Sequence, residues 1–208
     1  MELLPLEIIK EIFNYLDFLS KIRFRQCNKY LYSKLDIDDF YNIPHKGFLS
    51  DDILRNYPNI KYLDASDNPK ITNVSYMSKL KILDASRNCG IGNDGIKELN
   101  LEKLDAFDNP KITNVNHMSK LKILDASWNC GIGNDGIKEL NLEELNVCDN
   151  PKITNINHMS KLRILNIGYT CGIGNDGIKE LNLERLDAYD NPKITNVNHM
   201  TKLKSIIL

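Results

Sequence analysis

Leu80-Lys81-Ile82-Leu83-Asp84-Ala85-Ser86-Arg87-Asn88 is the stretch on which the fold turns. It is one of eight phrases of the form L-x-x-L-x-A-x-x-N, opened by Ile60, Leu80, Leu101, Leu121, Leu142, Leu162, Leu183 and Leu203 at alternating spacings of 20 and 21 residues. A longer period of 41 residues encloses the short one. Asp-Asn-Pro-Lys-Ile-Thr-Asn begins at Asp67, Asp108, Asp149 and Asp190, and Cys-Gly-Ile-Gly-Asn-Asp-Gly-Ile-Lys-Glu-Leu begins at Cys89, Cys130 and Cys171. Internal repetition of this length means stacked units, each too small to bury its apolar face alone.

Within a phrase, positions 4 and 6 are apolar and their neighbours polar, the period-2 signature of a short half-buried strand. Leu63, Leu83, Leu104, Leu124, Leu145, Leu165 and Leu186 are expected to point inward. So are the smaller Ala65, Ala85, Ala106, Ala126 and Ala188, with Val147 and Ile167 in the same place. Position 12 returns inward as isoleucine, from Ile71 to Ile194. Asn68, Asn88, Asn109, Asn129, Asn150 and Asn191 at position 9 are expected to satisfy buried turn backbone, with Thr170 a single break.

This pattern resembles the leucine-rich-repeat family from Ile60 onward. The resemblance implies a short α/β solenoid with parallel strands on a concave face. Eight repeats over 60–208 would follow a junction and degenerate capping half-repeat over 39–59, in which Phe48 to Arg55 echoes the later turns.

The preceding segment is different in kind. Ile8, Ile9, Ile12, Phe13 and Leu16 form a helical stripe opened by Pro5, and a second helix is expected from Lys21 to about Leu35 with Ser20 as its cap. Leu4-Pro5-x-Glu7 followed by Ile9-x-x-Ile12-Phe13-x-Tyr15-Leu16-Asp17, then Arg23, Arg25, Cys27, Asn28 and Lys29, resembles the F-box family. The helical segment 1–38 is thereby expected to contact a Skp-type adaptor of cullin-RING ubiquitin ligases through Leu4, Pro5, Ile8, Ile12, Phe13 and Leu16. The repeats would capture a client. The alternative is a repeat scaffold whose helices only cap the solenoid.

Copies of the repeat differ mainly in the strand and where the chain leaves it. Arg87, Trp128 and Tyr169 share one position, Phe107, Cys148 and Tyr189 a second, and Lys103, Glu144 and Arg185 a third. With Asp64, Asp84, Asp105, Asp125 and Asp187 at position 5, beside Asp67, Asp108, Asp149 and Asp190 at position 8, these define the expected client-binding concave face. Aromatic and arginine residues are typical interface anchors. A ladder of stacked carboxylates costs folding energy unless cations neutralise it, which points to a client with a basic segment.

Other chemistry finds no support. Gly90-Ile91-Gly92-Asn93-Asp94-Gly95 matches G-x-G-x-x-G, but it recurs every 41 residues with no room for a crossover helix, so no dinucleotide cofactor is expected. His117, His158 and His199 stand too far apart for a zinc site. Cys89, Cys130 and Cys171 lie about 10 Å apart by the strand spacing, too far for disulfides. No catalytic arrangement stands apart from the repeat, and no metal ligand set is expected. With 27 basic and 28 acidic residues, the chain has no bulk attraction for nucleic acid or membrane. It shows no signal peptide or membrane span, so a cytoplasmic location is expected, that of the host if the source is viral. The C-terminal Ser205-Ile206-Ile207-Leu208 is read as an apolar edge strand open to self-association.

Overall fold

A computed structural model describes residues 4–41, 43 and 46–208. Its core is one parallel sheet in which sequence order and spatial order coincide. Among the described residues the strands are β1 (Asp39–Phe40), β2 (Tyr62–Asp64), β3 (Ile82–Asp84), β4 (Lys103–Asp105), β5 (Ile123–Asp125), β6 (Glu144–Asn146), β7 (Ile164–Asn166), β8 (Arg185–Asp187) and β9 (Ser205–Ile207). The register places each position-4 residue on its equivalent: Leu63 pairs with Leu83, Leu83 with Leu104, and so on to Leu186 with Ile206. Within each strand from β2 to β8 the middle residue is buried and its neighbours look outward.

Each coil sends its apolar residues into a single continuous core. Coils opened by Ile60, Leu101, Leu142 and Leu183 bury the leucine of the strand, the position-12 isoleucine and Met77 or its equivalent, with a valine or isoleucine that is buried in the first three and partly buried as Val197 in the last. Coils opened by Leu80, Leu121 and Leu162 bury a cysteine, two isoleucines and a leucine on the return leg instead, around the single-turn helices α5 (Asn93–Ile96), α6 (Asn134–Ile137) and α7 (Asn175–Ile178). We refer to these as A coils and B coils.

The two coil types solve the turn differently, which corrects the single asparagine ladder expected from sequence. In A coils the carboxamide is buried: Asn109 Nδ2 donates to Ala85 O at 2.7 Å and Ile91 O at 3.1 Å, and its Oδ1 accepts Lys111 N–H at 3.0 Å. Asn150 and Asn191 repeat that pattern on the coils before them. In B coils Asn88 and Asn129 face solvent, and Cys89, Cys130 or Cys171, one residue later, occupies the interior. Thr170 is likewise exposed and bonds Asp149, so it interrupts no ladder.

The glycines of the B coil are explained by how closely neighbouring coils approach. A Cβ on Gly90 would lie 2.5 Å from Ile71 O and 2.6 Å from Pro69 O, and one on Gly95 would lie 2.3 Å from Thr72 O. The G-x-G-x-x-G match is therefore a close-packing device repeated at Gly131, Gly136, Gly172 and Gly177. The histidines serve the same stacking, with His117 Nε2 3.1 Å from Ile96 O and its equivalents placed alike.

Before the solenoid come α1 (Leu6–Tyr15), α2 (Phe18–Gln26) and α3 (Lys29–Lys34). The second helix expected from sequence is two. Asp17 caps α2 by accepting Ser20 N–H at 2.9 Å, and Asn28 caps α3 by accepting Leu31 N–H at 2.8 Å. The junction also holds more than a half-repeat. Its β1 pairs with β2, and α4 (Asp51–Leu54), capped by Ser50, supplies the return leg. Asp51 then accepts Thr72 N–H at 2.8 Å, as Asn93 does for Thr113 at 2.9 Å one A coil later. Phe18 meets Phe40 at 4.9 Å between ring centroids, and Phe40 meets Tyr57 at 5.0 Å, so the helices and the first coil share one core. No described helix is long and apolar enough to cross a membrane.

Candidate binding surfaces

The helical face is built from α1. Its residues alternate between two environments at helical spacing: Ile9 and Phe13 are buried, whereas Ile8 and Ile12 are each 42% exposed and Leu4, just before the helix, is 57% exposed. Pro5 is exposed beside them at the N-cap, and Leu16 is half-buried against the core. Phe13, expected from sequence on the adaptor face, is 3% exposed. It packs on Phe24 at 6.3 Å, with the Lys21 ammonium 5.8 Å from its ring centroid, because the i, i+4 pair Ile9 and Phe13 is the side of α1 that meets α2. Tyr15, which sequence reasoning passed over, continues the outer stripe and is almost fully exposed. Its spacing from Ile8 and Ile12 was the available signal.

The concave sheet surface carries two rows. At position 3 stand Tyr62, Ile82, Lys103, Ile123, Glu144, Ile164 and Arg185, so from Ile82 onward isoleucines of B coils alternate with charged residues of A coils. At position 5 stand Asp64, Asp84, Asp105 and Asp125, then Asn146 and Asn166, then Asp187. The asparagines interrupt the expected carboxylate ladder, and Asn146 Nδ2 donates to Asp125 at 2.7 Å.

These carboxylates have a structural task. Those of Asp64, Asp84, Asp105, Asp125 and Asp187 each accept the backbone N–H two residues ahead, at 2.9–3.1 Å, which turns the chain at the end of the strand. Asp64 is also paired with Lys46 from the junction. Near the middle of the row the charge is less well served: burial, reinforced by Asp125 and Asp84, raises the Asp105 carboxyl to about 6. A shallow cavity of about 300 Å³ opens here, lined by Lys103, Asp105, Ile123, Asp125, Glu144 and Arg185 among others.

Position 8 departs from the sequence expectation. Asp67, Asp108, Asp149 and Asp190 do not share the strand face with the position-5 row; they have φ of 51–57° and lie on the turn beyond it. Arg87, Trp128 and Tyr169 adopt the same left-handed conformation in the B coils, with φ of 58°, 58° and 56°. They form a rim where the chain leaves the sheet, together with Phe107, Cys148 and Tyr189 of position 7. Across the opposite margin runs a feature missed from sequence, an alternating charge ladder at position 2. Lys81 pairs with Glu102 at 3.0 Å, Lys122 with Glu143 at 3.2 Å, and Lys204 with Glu184 at 2.8 Å. The alternation of Lys or Arg with Glu in consecutive phrases was its sequence signal.

Residues 1–43 match the F-box domain family, and residues 76–99, 117–140 and 158–181 match the leucine-rich-repeat family. The chain joins an F-box to leucine-rich repeats. No curated protein sequence matches it. Among solved structures, an internalin from Listeria monocytogenes is similar with a TM-score of 0.53 and 20% identity, over 87% of this chain and 64% of the internalin. The chain thus spans less than two thirds of that protein, and the likeness is one of fold.

The F-box and the repeats are both interaction modules, and together they make a protein-interaction adaptor. The surfaces fit that description. Among the described residues no three His, Cys, Asp or Glu side chains are grouped to hold a metal ion. Cys89 and Cys130, buried between coils, have thiols raised by desolvation to about 11, so they stay protonated at neutral pH and serve as small apolar residues.

Proposed function

We propose that the chain presents a protein client to a Skp-type adaptor of a cullin-RING ubiquitin ligase, in the cytoplasm. The observation that carries this reading is the outward apolar stripe of α1. Leu4, Pro5, Ile8 and Ile12 stand in solvent while the opposite side of the same helix fills the core. A helix that only capped the solenoid would turn its apolar residues inward. Contiguous exposed aliphatic side chains mark a contact surface. In this arrangement Leu16 flanks the contact, Phe13 supports it from within, and Tyr15 extends it. The client lies across the concave sheet, where Lys103, Glu144 and Arg185 offer charges of both signs above the isoleucine floor.

Mixing the purified chain with a Skp adaptor and following co-elution tests the proposal. The unmodified chain is expected to co-elute, and Ile12→Asp to elute alone with an unchanged circular-dichroism melt. Failure of the unmodified chain to form a complex would sink the ligase reading and leave the scaffold alternative.

A further inference from the structure

The rim carries a feature that neither the fold nor the adaptor reading explains. Arg87, Phe107, Trp128, Tyr169 and Tyr189 succeed one another along it. The Arg87 guanidinium lies 5.7 Å from the Phe107 ring centroid, Phe107 and Trp128 are 5.7 Å apart and tilted, and Tyr169 and Tyr189 meet edge-on at 5.5 Å. Trp128, Tyr169 and Tyr189 are each about half exposed.

Backbone conformation makes these residues more telling. Every A coil has aspartate at position 8, a short side chain that tolerates the left-handed region, whereas the three B coils hold Arg87, Trp128 and Tyr169 in that same conformation. Bulky residues are disfavoured there, and such outliers gather at functional sites. Folding alone would favour aspartate or asparagine in all seven coils. Large side chains have instead been kept at half-exposure, pre-ordered by their ring contacts.

Between them stand carboxylates. Asp67 is engaged by Arg87 at 3.2 Å and Asp149 accepts from Thr170, whereas the Asp108 and Asp190 side chains make no hydrogen bond or ion pair among the described residues. An aromatic face flanked by carboxylates attracts a cation. Trp128 and Tyr169 lie two coils apart, about 10 Å at the usual strand spacing. A polyproline II segment repeats its facing side chains every three residues, or about 9 Å, and such segments dock on aromatic ridges.

We propose that the rim binds a polyproline II segment of the client with Lys or Arg at every third position. One cation lies against Trp128 between Asp108 and Asp149, and the next lies against Tyr169 between Asp149 and Asp190. This rests on the reading that the repeats hold a protein client, and it names the kind of segment they take.

Trp128 is the sole tryptophan, so its emission reports on the rim directly. The full chain is titrated with a peptide of four Lys-Pro-Pro repeats, a Glu-Pro-Pro counterpart, and a peptide with lysine at every fourth position. The Lys-Pro-Pro peptide is expected to shift the Trp128 emission saturably and bind at least tenfold more tightly than either control. With a labelled Lys-Pro-Pro peptide, the Trp128→Asn plus Tyr169→Asn variant should lose at least tenfold in affinity. Its thermal melt should not fall, because asparagine accepts the left-handed backbone. An unchanged emission at millimolar peptide, equal binding of the Glu-Pro-Pro peptide, or undiminished affinity of the double variant would each overturn the proposal. A chain that co-elutes with the Skp adaptor yet leaves the Lys-Pro-Pro peptide unbound keeps the ligase reading and loses this one.

Discussion

A coils and B coils trace nearly the same path with different interiors. An A coil buries a carboxamide that bonds three backbone groups, while a B coil buries a thiol and brings glycines against its neighbour's carbonyls. The difference shows that a nine-residue phrase can fix strand register while leaving the turn undetermined. The dipeptide immediately after the phrase, Pro-Lys in one case and Cys-Gly in the other, selects between a hydrogen-bonded turn and a close-packed one.

The sharpest way to break this comparison is to remove the same residue type from each coil. Asn109→Ala orphans two carbonyls and an N–H in the interior and is expected to cost about 4 kcal/mol by chemical denaturation. Asn129→Ala, at the equivalent phrase position but in solvent, should cost less than about 0.5 kcal/mol. Equal costs would show that the two turns are not distinct. For the B coil, Gly136→Ala places a Cβ 2.2 Å from Thr113 O and is expected to lose about 3 kcal/mol through overpacking. Cys130→Ala, which only empties a small apolar volume, should lose about 1 kcal/mol.

The last expected effect is a gain. The Asp105 carboxyl is raised above its ordinary value, chiefly by burial, so its charge opposes folding at neutral pH. That penalty is present above about 6 and fades as the group protonates on the way down toward the unfolded value. Asp105→Asn is therefore expected to raise stability by about 1 kcal/mol at pH 7, after discounting for solvent screening, and to make little difference near pH 4. Asparagine already performs the same turn bond at Asn146 and Asn166, so the backbone should be undisturbed. Urea titrations of both proteins across that range would check the sign.

Much of this architecture is legible because repetition multiplies weak signals. One Leu-x-x-Leu proves little, but eight in step assign strand, face and register together. The parts that escaped the sequence occur once or depend on backbone torsion. The break between α2 and α3 rests on a single capping residue, Asn28, inside a stretch that otherwise reads as continuous helix. The strand β1 hides in Ile37-Asp38-Asp39-Phe40, where phenylalanine replaces the leucine of the phrase and the spacing to the next coil is longer. The left-handed turn at position 8 is announced by aspartate in A coils but concealed by Arg87, Trp128 and Tyr169 in B coils. On α1, apolar content alone does not say which side faces the core, because Ile8, Ile9, Ile12 and Phe13 cover two faces of the helix and only packing against α2 turns Ile9 and Phe13 inward.

The buried asparagines also give the solenoid a direction in time. Asn109, Asn150 and Asn191 each reach back to carbonyls 18 and 24 residues earlier, and Lys111, Lys152 and Lys193 likewise donate to the cysteine carbonyl of the coil before. A coil emerging from a ribosome thus waits with unmet acceptors until its successor arrives to satisfy them. Synthesis itself would set the order of assembly, closing one rung at a time behind the growing end.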